Sequence, residues 1–143
     1  MMNDQENLQT IHEVYAAFGR GDVPAVLNLL TEDVEWFTPG PPTIIPYAGS
    51  RSGSEQVAQY FKEFGQAVEI TAFEPRQFFA QAEQVVVLGH YSGRVRTTGG
   101  VIESEWAHAF TLRNGKIANF HGYEDSAAVV AAFTPQPQAA RAN

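Results

Sequence analysis

The stretch from Val101 to Ser126, VIESEWAHAFTLRNGKIANFHGYEDS, constrains the fold more than any other. It reads as two long strands joined at Arg113-Asn114-Gly115-Lys116, because Asn-Gly supplies the positive φ angles that a two-residue hairpin turn requires. On the first strand Ile102, Trp106, His108, Phe110 and Leu112 share one parity, while Glu103, Glu105 and Thr111 share the other. Successive side chains leave a strand on opposite sides. One face is therefore aromatic with a histidine in it, and the other is acidic and wet. The aromatic face needs a cover, and the chain before it supplies one.

That cover is helical. Over residues 5–18, Leu8, Ile11, Val14, Tyr15 and Phe18 recur at helical spacing, and Gly19 and Gly21 end the run. Asp22 is a suitable N-cap for a second helix with Pro24 in its first turn. Val26, Leu27, Leu29 and Leu30 form its apolar stripe. Asp33 to Thr38 is a short strand with Val34, Trp36 and Thr38 on one face. The segment from Pro39 to Ser52 carries four prolines and reads as irregular. Ile44, Ile45 and Tyr47 make it apolar, so it reads as a flap folded over an opening. Ser52-Gly53-Ser54-Glu55 has a capping-box pattern and opens a third helix to about Phe64, ended by Gly65. Strands follow over Val68–Ala80, interrupted near Pro75, and over Gln84–Thr97. After the hairpin, Asp125 caps a short helix from Ser126 to Phe133. The remaining ten residues, 134–143, are poor in apolar side chains and read as a disordered tail. Three helices followed by a meander of strands predict an α+β domain over residues 5–133.

With 143 residues the chain can bury a core without staples. It has no cysteine, hence no disulfide and no thiolate chemistry. A net charge of −7 without a basic cluster argues against nucleic acid and against anionic membranes as partners. The polar, acidic start lacks the features of a signal peptide, and no apolar run has the length of a membrane span. The expected location is cytoplasmic.

Particular residues resemble the nuclear-transport-factor-2-like superfamily, and within it the SnoaL-like branch related to ketosteroid isomerase. They are Gly21-Asp22, Leu29-Leu30-x-x-Asp33-Val34, Pro39-Gly40-Pro41-Pro42 and Tyr47-Ala48-Gly49 with Gly53. Further on they are Glu105-Trp106 with His108 and Phe110, Asn114-Gly115-Lys116-Ile117, and Tyr123-x-Asp125. The resemblance implies a cone: a curved antiparallel sheet wrapped by three N-terminal helices, with a short C-terminal helix. It also implies an apolar internal cavity and a homodimer formed through the outer face of the sheet. The isomerases of this superfamily use an Asp base where this chain has Thr38, and pair a helix-one Tyr with a central-strand Asp. The matching positions here are Val14, with Tyr15 beside it, and His108. The aspartates that hydrolase and cyclase relatives require on inner strands are absent.

His108 is the candidate catalytic residue, since it shares parity with Trp106 and Phe110 and an imidazole titrates near neutral pH. Its other reading is a core histidine bonded to a neighbour. Candidate substrate-binding residues are Tyr15, Trp36, Tyr47, His90, Trp106 and Phe120. The indoles offer apolar area and one donor each. His90 enters the cavity only if the face carrying Val86, Leu88 and Arg94 is the inner one; Val85 and Val87 make the opposite face equally apolar. The resemblance puts Phe120 and Gly122 inside and Glu124 near the entrance. His90, His108 and His121 lie on different strands without ligand spacing, so no metal site is expected. The function expected is cofactor-independent binding of a small hydrophobic molecule, with isomerase-, hydrolase- or cyclase-type chemistry. The alternative is a non-catalytic ligand-binding or dimerising module.

Overall fold

The computed structural model describes residues 3–135. Helix α1 (Asp4–Gly19) starts at Asn3, whose side chain and backbone form a reciprocal capping box with Glu6. Helix α2 (Val23–Leu27) is capped by Asp22, which accepts from the backbone N–H of Ala25. This helix is shorter than the apolar stripe suggests. Leu30 belongs instead to strand β1 (Leu30–Thr38), where it pairs with Ile117. A ladder partner outweighs one further helical turn there.

The proline-rich segment is not irregular throughout, as the sequence suggests. Its end forms strand β2 (Gly49–Ser52), antiparallel to β1. The four prolines precede these residues and leave their donors free. Helix α3 (Gly53–Ala67) follows and runs through Gly65. The capping box expected at Ser52 does not form. The Ser52 hydroxyl donates to Glu35 on β1, and its backbone N–H donates to Gln56. Four long strands come next: β3 (Val68–Gln81), β4 (Gln84–Val95), β5 (Val101–Arg113) and β6 (Lys116–Glu124). The short helix α4 (Ser126–Phe133) is capped by Asp125. The tail expected to be disordered lies outside the described residues from position 136 on.

The strands form one sheet in the order β2-β1-β6-β5-β4-β3. The sheet is mixed, not wholly antiparallel, because β1 pairs with β6 in parallel. A parallel partner needs a long connection, and here everything from β2 to β5 provides it. Strand β3 is an edge, which explains how it tolerates Pro75; the register slips between Pro75 and Gln77. At the β5–β6 turn Asn114 and Gly115 both have positive φ, 53° and 79°, as the Asn-Gly signal predicts.

Val85, Val87, Tyr91 and Val95 of β4 are buried, with Trp106, Phe110 and Leu112 of β5 and Trp36 of β1. Helices α1 and α3 pack on that side. Val86 and Leu88 are exposed on the opposite face. Helix α1 is pinned to the hairpins beneath it by two polar side chains: Asn7 donates to the carbonyl of Ala82, and Thr10 to that of Gly115. Among the described residues no helix is long and apolar enough to cross a membrane.

Candidate functional site

Two glycines make the cavity possible. Strand pairing sets Gly89 opposite Trp106. A Cβ on Gly89 would lie 2.3 Å from the indole and 2.5 Å from the Glu74 carbonyl oxygen. Only the absence of a side chain lets the indole lie across β4. In the proline-rich loop Gly40 adopts φ +112°, and a Cβ there would meet Ile45 at 2.6 Å. The loop can thus tuck Ile45 and Tyr47 inward, and both are essentially inaccessible.

The result is a cavity of about 90 Å3, measured as the space open to the centres of water-sized molecules. Its walls come from α1, α2, α3, the proline-rich loop and strands β1, β3, β4, β5 and β6. They are mostly rings. Trp36 stacks on Phe120 at 4.1 Å between centroids, and Trp106 on His108 at 4.0 Å. Phe73 also stacks against Trp106, at 5.0 Å.

At one part of the wall the Tyr15 hydroxyl lies 2.6 Å from Nδ1 of His108. Burial holds the imidazole pKa down to about 3, so His108 is neutral at physiological pH. The half-buried imidazole is part of the cavity wall. Burial also raises the Tyr15 pKa, which keeps the phenol protonated.

Elsewhere the cavity holds one carboxyl group. Glu124 accepts a 3.1 Å hydrogen bond from the Tyr91 hydroxyl. Burial raises its pKa; the Tyr91 bond opposes this and neighbouring Asp125 adds to it. Tyr47 and Tyr60 also line the space, and burial pushes the Tyr60 phenol up to about 12. The Tyr47 hydroxyl and the indole nitrogens of Trp36 and Trp106 are buried without a hydrogen-bond partner.

Tyr15, Trp36, Tyr47, Trp106, His108 and Phe120 all line this space. Tyr47 is a wall residue packed edge-on against Phe64. His90 is a correction: it sits on the outer face, with Nε2 3.2 Å from Glu103. The inner parity of β4 belongs to Val85, Val87, Gly89 and Tyr91, because Gly89 must face Trp106. His121 lies against Phe37 and Tyr123, away from His108. The three histidines therefore do not converge. Sequence reasoning passed over Tyr91, although it shares parity with Val85 and Val87; that signal was present once the face was known.

Residues 11–120 match the SnoaL-like domain family, and the chain belongs to it. A nuclear-transport-factor-2-like protein from Burkholderia xenovorans is 36% identical and superposes with a TM-score of 0.85, covering 94% of this chain and 100% of that one. An uncharacterised protein of Mycobacterium tuberculosis is 27% identical over 128 residues, 89% of this chain and 95% of its own length. A provisionally assigned polyketide cyclase from Xanthomonas campestris shares the fold at 20% identity and a TM-score of 0.76, covering 93% of this chain and 100% of its own.

Proposed function

We propose that this chain binds a small, mostly hydrophobic molecule in the aromatic cavity and acts on it by cofactor-independent proton transfer of isomerase, hydrolase or cyclase type. The Tyr15–His108 hydrogen bond carries the reading. The neutral pair holds two exchangeable protons, one on the phenol and one on the imidazole. One is used in the bond between them, and the other is left to donate. Whichever way the shared bond runs, the pair presents a donor where charge can develop on a substrate oxygen. Trp36, Tyr47, Trp106 and Phe120 bind the apolar body. His108 is the proposed catalytic residue.

A second reading, a non-catalytic binder, draws support from the same imidazole: its low pKa makes it a weak base and a persistent hydrogen-bond donor. The test is to extract purified protein, identify any co-purified compound by mass spectrometry, and follow its conversion by the wild type and by His108→Ala. Loss of conversion in the variant supports catalysis by His108. Binding without conversion selects the second reading, and conversion that persists in the variant removes His108 from the mechanism.

The proposed partner is a second copy of this chain. On the outer face Phe79, Val86, Ala109, His121 and Phe37 follow one another in register across five strands. Leu88 is exposed beside them. Sedimentation should give a dimer that Leu88→Lys converts to monomer; a monomeric wild type rejects the proposal.

A further inference from the structure

The cavity has an uneven charge inventory. Its lining includes no lysine or arginine, its histidine stays neutral, and its one acid is Glu124. A single hydrogen bond, from Tyr91, serves that carboxyl group. The same lining carries rings from separate elements: Tyr91 of β4, which bonds the carboxyl group, Trp106 of β5, its partner across the β5–β6 ladder, Tyr60 of α3 and Tyr47 of the proline-rich loop. The Tyr47 hydroxyl is buried without a hydrogen-bond partner of its own.

The other charged groups near Glu124 do not neutralise it. Asp125 is next in the chain and repels it. Arg76 of β3 and Glu105 of β5 share the groove on the outer side with Glu124. Arg76 is held there by Glu74 at 2.8 Å and lies 3.6 Å from Glu105. It is absent from the cavity lining. A buried carboxylate without a cation is costly, and it avoids the cost by holding a proton. A carboxyl group in an aromatic-lined cavity is also the chemistry that recognises an organic cation: ring faces attract it through their quadrupoles, and the acid supplies the counter-charge.

Resting on the proposed ligand-binding role of this cavity, we propose that Glu124 makes it a site for a small aromatic ammonium ion. The ammonium group pairs with the Glu124 carboxylate and displaces its proton to solvent. The apolar body lies among Trp36, Trp106 and Phe120. No covalent bond changes. The net charge of −7 favours the approach of a cation, and the lining offers no cation to hold an anionic ligand.

The probes are benzylamine and benzyl alcohol, which share a ring and differ in charge. Their dissociation constants are measured by calorimetric titration at about pH 5.5 and about pH 8, on wild type and on Glu124→Gln. At the higher pH benzylamine should bind at least about tenfold more tightly than the alcohol. The advantage should shrink at the lower pH, where a larger share of Glu124 is protonated, and vanish in the variant while the alcohol still binds. At the lower pH, titrations of the wild type in two buffers of different ionisation enthalpy should show proton release with benzylamine alone, independently of how the variant folds. Equal affinities, no proton release, or an undiminished amine affinity in a folded variant overturns the proposal. If the alcohol binds and the amine does not, the cavity still takes apolar ligands and only the role of Glu124 fails. If neither binds, the ligand-binding reading fails with it.

Discussion

The Tyr15 hydroxyl on α1 and Nδ1 of His108 on β5 are 2.6 Å apart, joined across 93 positions of sequence. Two buried polar groups solve each other's problem at this contact, since neither has to meet the apolar wall alone. Tyr15→Phe should therefore destabilise the protein by roughly 1–3 kcal/mol, the cost of an orphaned buried polar group. Removing both partners, as Tyr15→Phe with His108→Leu, should cost less than the two single changes summed. Urea unfolding of the four proteins checks this; strictly additive costs would mean that the two groups do not interact.

Acid should unfold the protein through His108. Its pKa is about 3 in the fold against an ordinary 6.5 in the unfolded chain. Between those values the unfolded state binds a proton that the folded state refuses, so stability rises with pH. The contribution is fully present above about 6.5 and is lost as the pH falls toward 3. At about 1.4 kcal/mol per unit its ceiling is roughly 5 kcal/mol. Urea midpoints measured across this range should fall steeply with acid in the wild type and less steeply in His108→Gln. A parallel decline in both proteins would show that other groups drive acid unfolding.

The hairpin, the inner parity of β5 and the inward Trp36 were legible because alternation and the Asn-Gly turn are local signals. The parity of β4 was not, since Val85-Val86-Val87-Leu88 is apolar on both faces. What decides it is Gly89 beneath Trp106, a contact between strands that no single strand displays. Strand β2 was hidden by the prolines before it, and the parallel pairing of β1 with β6 is a property of topology. Tyr15 was one residue from the position that resemblance marked on α1, yet its longer reach brings the phenol to His108. The meeting of Glu124 with Tyr91 depended on the parity that remained open.

Gly89→Ala tests the geometry that opens the cavity. The added methyl group would occupy space held by the Trp106 ring and the Glu74 carbonyl oxygen. The carbonyl belongs to the sheet backbone, so the indole must move or the β3–β4 ladder must part. Overpacking of this kind costs typically about 1–3 kcal/mol. A lower thermal midpoint should accompany an altered tryptophan emission spectrum. A variant as stable as the wild type, with unchanged emission, would contradict the placement of Trp106.

Glu124 should impose a pH dependence of opposite sign to that of His108. Burial raises its pKa in the fold above the ordinary carboxylate range. Between the ordinary value, about 4.3, and the raised one, the folded state keeps a proton that the unfolded state has released. Stability from this group is therefore present at low pH and is lost as the pH climbs through the window. Glu124→Gln keeps an acceptor for the Tyr91 hydroxyl and removes the titration. His108 titrates in both proteins, so the difference between their unfolding free energies isolates Glu124. That difference should move in favour of the variant as the pH rises from about 4 to about 8. A difference that stays constant would mean Glu124 titrates as an ordinary surface carboxylate, and its charge would then need no partner in the cavity.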